Sequence, residues 1–188
     1  MRTGLKLKTS EVPGSRQLLD QLRVKYGQLW LDVGAGDDPQ PKCVAMDRRN
    51  IPGIDVVHDI EDFPWPFPDD TFDKIIASHI IEHIDPSKSI DVMNEAWRVM
   101  AVGGEILIAM PYPGSFGHWQ DPTHIRPWNE ATPSYFDPED PRGNLLDNKY
   151  KNLYEIYRPK PWKITYRAWK NDGNLEIVMM KRAENDKK

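Results

Sequence analysis

The chain has 188 residues, with 29% charged and 39% hydrophobic side chains, a formal net charge of -4 and a pI near 5.7. This is the make-up of one globular domain with a real core; it excludes a chain built to coat nucleic acid, and no apolar run approaches the ~20 residues that span a bilayer. A single cysteine, Cys43, rules out an internal disulfide and a multi-cysteine zinc site, and with the basic, polar first ten residues it points to the cytoplasm.

Residues 1–14 lack periodicity and read as a flexible arm ahead of a single domain, 15–188. Ser15 is placed to cap a helix reaching about Tyr26, with Leu18, Leu19 and Leu22 on one face. Leu29 to Val33 is a short apolar run stopped by Gly34, a buried strand followed by a tight turn. Cys43 to Met46, ending at Asp47, and Asp55 to His58, ending near Asp59, are the next strands. Residues 63–70 alternate prolines with aromatic rings and are barred from helix, because proline removes a donor and restricts the residue before it. Phe72 to Ser78 is a strand, with Asp73 where the chain enters the sheet. A helix is expected from about Ser87 to Val99, with Ile90, Met93, Ala96 and Trp97 at helical spacing. The pair Gly103-Gly104 closes that region before a strand from Glu105 to Met110. Residues 111–141 are rich in proline, histidine and aromatics, and a loop of this length in a compact domain is usually functional. Lys163 to Trp169 and Leu175 to Met180 flank Asp172-Gly173, the mark of a β-hairpin. Strands alternating with helical stretches imply an α/β fold: an open, mostly parallel sheet with helices on both faces.

Each loop that follows a strand carries chemistry at the edge where open α/β sheets bind ligands. In Asp32-Val33-Gly34-Ala35-Gly36-Asp37-Asp38-Pro39, the glycines let the backbone turn sharply and approach a ligand. The dinucleotide spacing G-x-G-x-x-G is absent, and Asp37-Asp38 would repel a pyrophosphate, so NAD is not expected. An acidic turn suits a phosphate-free ligand with a positive end, and S-adenosylmethionine carries both a sulfonium and an ammonium. Asp47 can accept hydrogen bonds from both hydroxyls of a ribose, and Asp59 stands where an adenine edge would be read. Taken singly, these residues are ordinary turn glycines and helix-capping aspartates; their placement after three successive strands is what carries weight.

The run Leu31-Asp32-Val33-Gly34-Ala35-Gly36, Asp47, residues 59–64 and 67–73, Ser78-His79-Ile80-Ile81-Glu82-His83-Ile84 and residues 98–104 together resemble the class I S-adenosylmethionine-dependent methyltransferases. Within that family the likeness is to the small UbiE-like, type 11 methyltransferase-domain subgroup, and it covers about Leu29 to Pro113. The resemblance implies a Rossmann-like sheet with an antiparallel C-terminal hairpin. It implies Asp32, Gly34 and Gly36 at the methionine end of the cofactor, Asp47 at the ribose, and Asp59 with the Ile60 backbone at the adenine. Ser78 and His79 would stand beside the methyl group. Where many members carry a third glycine, this chain has Asp38-Pro39.

Segments like Asp121-Pro122-Thr123-His124-Ile125-Arg126 follow the fifth strand in some members of the group, which makes 111–141 a candidate lid. Tyr112, Phe116, Trp119 and Trp128 are candidate pocket walls. His118, Asp121 and His124 recur every three residues, but prolines break the helix that would align them, and no metal is assigned. A neutral amine or hydroxyl acceptor must lose a proton, so a base is useful; the candidates, in order, are His124, His79 and His118, while His83 is expected in helix packing. The expected function is methyl transfer to a small polar or amphipathic molecule. The alternatives are a nucleic-acid or protein methyltransferase using the basic stretch 142–170, and a cofactor-binding but inactive partner subunit. Ser78-His79-Ile80-Ile81 stands where many nucleic-acid amino-methyltransferases carry Asn-Pro-Pro-Tyr, which weakens the nucleic-acid reading.

Overall fold

The structure, a computed structural model, describes residues 19–20, 23–24, 27–145 and 149–183. The N-terminal arm and most of the first expected helix lie outside them, although the described residues of that stretch, 19–20 and 23–24, are helical. Seven strands form one sheet in the order β3-β2-β1-β4-β5-β7-β6: β1 (Trp30–Val33), β2 (Cys43–Asp47), β3 (Val56–Val57), β4 (Phe72–Ser78), β5 (Met100–Pro111), β6 (Trp162–Trp169) and β7 (Asn174–Lys181). β1 through β5 pair in parallel, while β7 runs antiparallel to both β5 and β6. The order reverses between β1 and β4, and the crevice outside the carboxyl ends at such a switch point is where these sheets bind ligands.

β1 is central and buried on both faces, which is why its Leu-Asp-Val run shows no alternation. β7 alternates, burying Leu175, Ile177 and Met179, while the edge strand β6 is mostly exposed and carries Lys163 and Arg167. α1 (Ser89–Val99) is the one helix longer than a single turn among the described residues. It follows a 3₁₀ turn, Pro86–Lys88, capped by the Asp85 carboxylate, which accepts from the Ser87 N–H and hydroxyl, and it buries Val92, Met93, Ala96, Trp97 and Val99 against the core. The connection from β3 to β4 is packed by rings rather than by helix. Trp65 and Phe67 are buried, and Arg98 holds their loop by donating to the carbonyls of Trp65 and Phe67 and to Glu95. No helix of the described residues is long and apolar enough to cross a membrane.

One strand boundary differs from expectation. β5 begins at Met100 and runs through Gly103-Gly104 instead of starting after them. The pair is a bulge: Phe72 faces Met100, yet Lys74 already faces Glu105. A Cβ on Gly104 would lie 2.6 Å from Met100 Sδ and 2.9 Å from the carbonyl oxygens of both Ala101 and Asp73. Two of those contacts are backbone and cannot swing aside. Gly104→Ala is therefore expected to lower stability by about 1–3 kcal/mol, read as a shift in urea midpoint. An unchanged midpoint would show that the bulge relaxes freely.

The segment 111–141 is anchored at several points. Trp128 and Phe136 stack in the core with ring centroids 5.5 Å apart, so Trp128, expected as a pocket wall, is a core residue. Ile125 and Arg126 donate their N–H groups to the Glu82 carbonyl. Asp140 is held by Arg167 through two bonds of 3.0 and 3.1 Å and by the Ser134 hydroxyl.

Candidate functional site

The loop after β1 is tied at both ends. Gln40 N–H donates to Asp32 Oδ2 at 2.8 Å, and Gly36 N–H donates to Asp47 Oδ2 at 2.9 Å. Gly34 and Gly36 have φ of +65° and +62°, the left-handed region that glycine enters without strain. Asp32 is buried, and desolvation, aided by the nearby Asp47 charge, holds its carboxyl above the usual range despite the Gln40 bond. Asp32 thus fastens the turn from beneath.

Asp47, at the end of β2, accepts from Gly36 N–H, Arg49 N–H and Arg49 Nε. Burial opposes its charge, but the bonds from Arg49 and Gly36 outweigh it and hold the carboxyl below its usual range. A carboxylate offers about four lone-pair sites, so these three donors leave room for roughly one ligand hydroxyl. Because the folded pKa is depressed, Asp47 contributes stability above the unfolded value of about 3.9 and loses it as pH falls through the folded value. Asp47→Asn is expected to flatten the loss of stability on acidification below about pH 4. An acid unfolding curve of wild-type steepness in the variant would refute that.

Asp59 accepts from Glu61 N–H in a local turn, and the Ile60 carbonyl accepts from Trp65 Nε1, so both are placed at the carboxyl end of β3 by their own loop. Ser78 ends β4, and His79 follows with φ of +54°, a conformation uncommon for a non-glycine residue and frequent at functional sites. The two pairs stand at the carboxyl ends of β3 and β4, with β2 and β1 between them in the sheet.

On the β4–β5 side of that edge lies a cleft of about 380 Å³. His79, His83 and His124 line it, with Gln120 and Asp121 from the loop after β5 and Asp172 from the hairpin turn. His83, expected in helix packing, faces this cleft instead, its ring 4.7 Å from that of His124. It sits in the 3₁₀ turn Ile81–His83 that directly follows the β4 loop, too short to bury it in a helix face. His118 is buried behind His124, ring centroids 5.3 Å apart, and desolvation lowers its pKa. That position makes it the least accessible of the three proposed bases. The rings expected as pocket walls do not line this cleft: Phe116 and Trp119 are 81% and 74% exposed on α2 (Phe116–Trp119), and Tyr112 packs against Trp169 with ring centroids 4.0 Å apart.

Sequence reasoning missed Glu82. It has no exposed surface and lies 3.3 Å from His79 Nδ1 and 3.9 Å from His124 Nε2. Its hydrogen bond and charge raise the pKa of His79 against the opposing desolvation. The signal was present as His79-Ile80-Ile81-Glu82-His83, three polar groups in an otherwise apolar run. The His118, Asp121 and His124 recurrence does not converge as a ligand set; among the described residues the group that does is Glu82, His83 and His124.

Residues 22–108 match the family model described as a methyltransferase domain. No curated protein matches the chain. Among solved structures, the fold is similar to a SAM-dependent methyltransferase from Archaeoglobus fulgidus, at 18% identity and TM-score 0.54, covering 92% of this chain and 97% of that one. It is similar to a 16S rRNA (adenine(1408)-N(1))-methyltransferase from Catenulisporales acidiphilia at 12% identity and TM-score 0.58, covering 92% and 93%. It is also similar to the 1,6-didemethyltoxoflavin-N1-methyltransferase of Burkholderia thailandensis at 12% identity and TM-score 0.53, covering 93% and 80%. Likeness at these identities establishes the fold.

Proposed function

We propose that this chain, whose residues 22–108 match a methyltransferase-domain model, is a class I S-adenosylmethionine-dependent methyltransferase that transfers a methyl group to a small polar or amphipathic acceptor seated in the cleft between the ends of β4 and β5. The observation that carries this reading is the cleft itself: a concave site of about 380 Å³, with His79 at its wall, beside the strand ends that bear the cofactor residues.

The residues present fit S-adenosylmethionine. The turn after β1 combines two left-handed glycines with Asp32, Asp37, Asp38 and the nearby Asp47, of which Arg49 offsets Asp37 and Asp47 in part. That environment favours a ligand with positive charge and no phosphate. Asp32, Gly34 and Gly36 would hold its methionine end, Asp47 the ribose, Asp59 and the Ile60 backbone the adenine, and Ser78 and His79 the region of the methyl group. The sulfonium supplies an activated methyl carbon, so the protein's work is positioning and proton removal. His79 is half exposed in the cleft and backed by Glu82, which suits it to take a proton from an acceptor amine or hydroxyl. His124 lies deeper, with its side chain 7% exposed, and His118 deeper still.

Part of the basic stretch 142–170 is already engaged, which weighs against a nucleic-acid acceptor. Arg167 pairs with Asp140, Lys170 with Glu176, and Lys160 lies over the Trp97 ring. The lone thiol fits the cytoplasm as the site of action. The deciding experiment supplies purified protein and isotope-labelled S-adenosylmethionine to a fractionated cell extract. Label in a low-mass product supports the proposal. Label confined to RNA or protein shifts the acceptor class, and no transfer to any fraction favours an inactive partner subunit.

A further inference from the structure

Glu82 is fully buried; its Oε1 has only one long, poorly aligned contact, from His79 Nδ1 at 3.3 Å, and its Oε2 has no hydrogen-bond partner. A charged group in that state is costly and is retained when something outside the polypeptide compensates it. His79 meets one oxygen only, and the other two imidazoles turn lone pairs toward the carboxylate. His124 Nδ1 lies 2.8 Å from the His118 carbonyl, which can only accept, so Nδ1 carries the proton and Nε2 the lone pair. His83 Nδ1 lies 3.2 Å from the Thr123 carbonyl and 3.0 Å from the Thr123 hydroxyl, which gives its own proton to Asp121 Oδ1 at 2.7 Å, so Nδ1 carries the proton and Nε2 the lone pair. His124 Nε2 therefore presents a lone pair to Glu82 Oε1 and to Asp121 Oδ2, each 3.9 Å away, with no proton between them.

We propose that Glu82, His83 and His124 bind a divalent transition-metal ion of the zinc type. One ligand-competent atom from each lies within 4.8 Å of the other two. Ligands about 2.0–2.2 Å from a shared tetrahedral ion stand roughly 3.4 Å apart, so small side-chain rotations close the site. Two imidazoles and a carboxylate suit zinc and its neighbours, and an Nδ1–H fixed by a backbone carbonyl is the usual support for a ligating histidine. The frame is built: Ile125 and Arg126 N–H groups bind the Glu82 carbonyl, so the loop bearing His124 is stitched to the turn bearing Glu82 and His83. Asp121 Oδ2 is within reach as a fourth ligand. His83, His124 and Asp121 line the cleft, so an exchangeable position on the ion would take an oxygen or nitrogen lone pair of the acceptor beside His79. That last point rests on the acceptor site proposed above; metal binding itself does not.

The test is calorimetric titration of the purified full chain with zinc chloride, without any methyl donor, followed by visible absorption with cobalt(II). The expected result is one equivalent of bound zinc, with Glu82→Gln and His83→Asn each weakening it by about a hundredfold or more. Cys43→Ala, at the opposite end of the sheet on β2, is expected to leave affinity unchanged. Thermal melts without metal check folding; the half-buried His83 is the milder site, and His83→Asn is expected to melt near wild type. Zinc affinity retained in both site variants, or no saturable binding of zinc or cobalt by wild type, overturns the proposal. Zinc binding without methyl transfer would sustain this site and defeat the acceptor assignment, so the two failures are distinguishable.

Discussion

Gly34→Ala is expected to weaken S-adenosylmethionine binding by tenfold or more and to lower stability by about 1–3 kcal/mol. Two independent effects act at this position. The backbone sits at φ +65°, which any residue with a Cβ adopts under strain. The added Cβ would also fall 2.5 Å from Ile80 Cγ1, 2.7 Å from Cδ1 and 2.8 Å from Cβ, closer than atoms approach without something moving. Ile80 follows His79, so relief by displacement of Ile80 would shift the loop that carries a proposed base. The substitution thus couples the cofactor turn to the acceptor side, and turnover should fall further than cofactor affinity. Ile80→Ala in the same chain removes the Cγ1 and Cδ1 contacts but leaves its own Cβ at 2.8 Å and the backbone strain, so the double variant should recover only part of the loss. Calorimetry with S-adenosylmethionine and steady-state turnover read both terms. Wild-type affinity in Gly34→Ala would show that this turn is not the cofactor's seat.

Local chemistry decided what could be read from the chain. β4 was legible to the residue because the apolar run from Phe72 to Ser78 is bounded by a proline-rich turn on one side and a loop on the other. The hairpin was legible from Asp172-Gly173, where Gly173 takes φ +89°. Gly103-Gly104 misled because glycine marks both a chain break and a bulge, and only the register of β4 against β5 separates them. Trp128 misled for a related reason: a ring in a proline-rich loop looks the same whether it lines a pocket or plugs the core, and its stacking on Phe136 is a tertiary fact. The residues proposed to hold the cofactor were picked out because they lie at or just beyond the carboxyl ends of β1 to β4, and the strand order places those ends along one sheet edge. The cluster around Glu82 was not, since His124 meets it only through the fold of 111–141, some forty residues along the chain. His83 was drawn toward helix packing by its apolar neighbours, whereas the turn that holds it is too short to be a helix face.

His124 offers the second large effect, and its two ring nitrogens can be separated experimentally. Nδ1 donates to the His118 carbonyl and anchors the loop; Nε2 points toward Glu82 and Asp121 and carries whatever chemistry the ring performs. An asparagine places an amide N–H near the Nδ1 position and nothing at Nε2. A glutamine reaches toward the Nε2 position and forfeits the Nδ1 anchor. If the Nε2 lone pair matters, His124→Asn should cut turnover by about a hundredfold or more, the scale lost with a single acid, base or ligand group, while S-adenosylmethionine affinity and melting temperature stay near wild type. His124→Gln should be less stable than His124→Asn, because the His118 carbonyl loses its donor in a buried setting. If the ring only ties the loop together, the order reverses in activity: His124→Asn retains most turnover, and His124→Gln loses it in proportion to its stability. The KM for the acceptor separates the cases further. Loss of a group acting in the transition state lowers kcat with little change in KM, whereas a loosened loop raises KM for an acceptor held by Gln120 and Asp121 on the same segment.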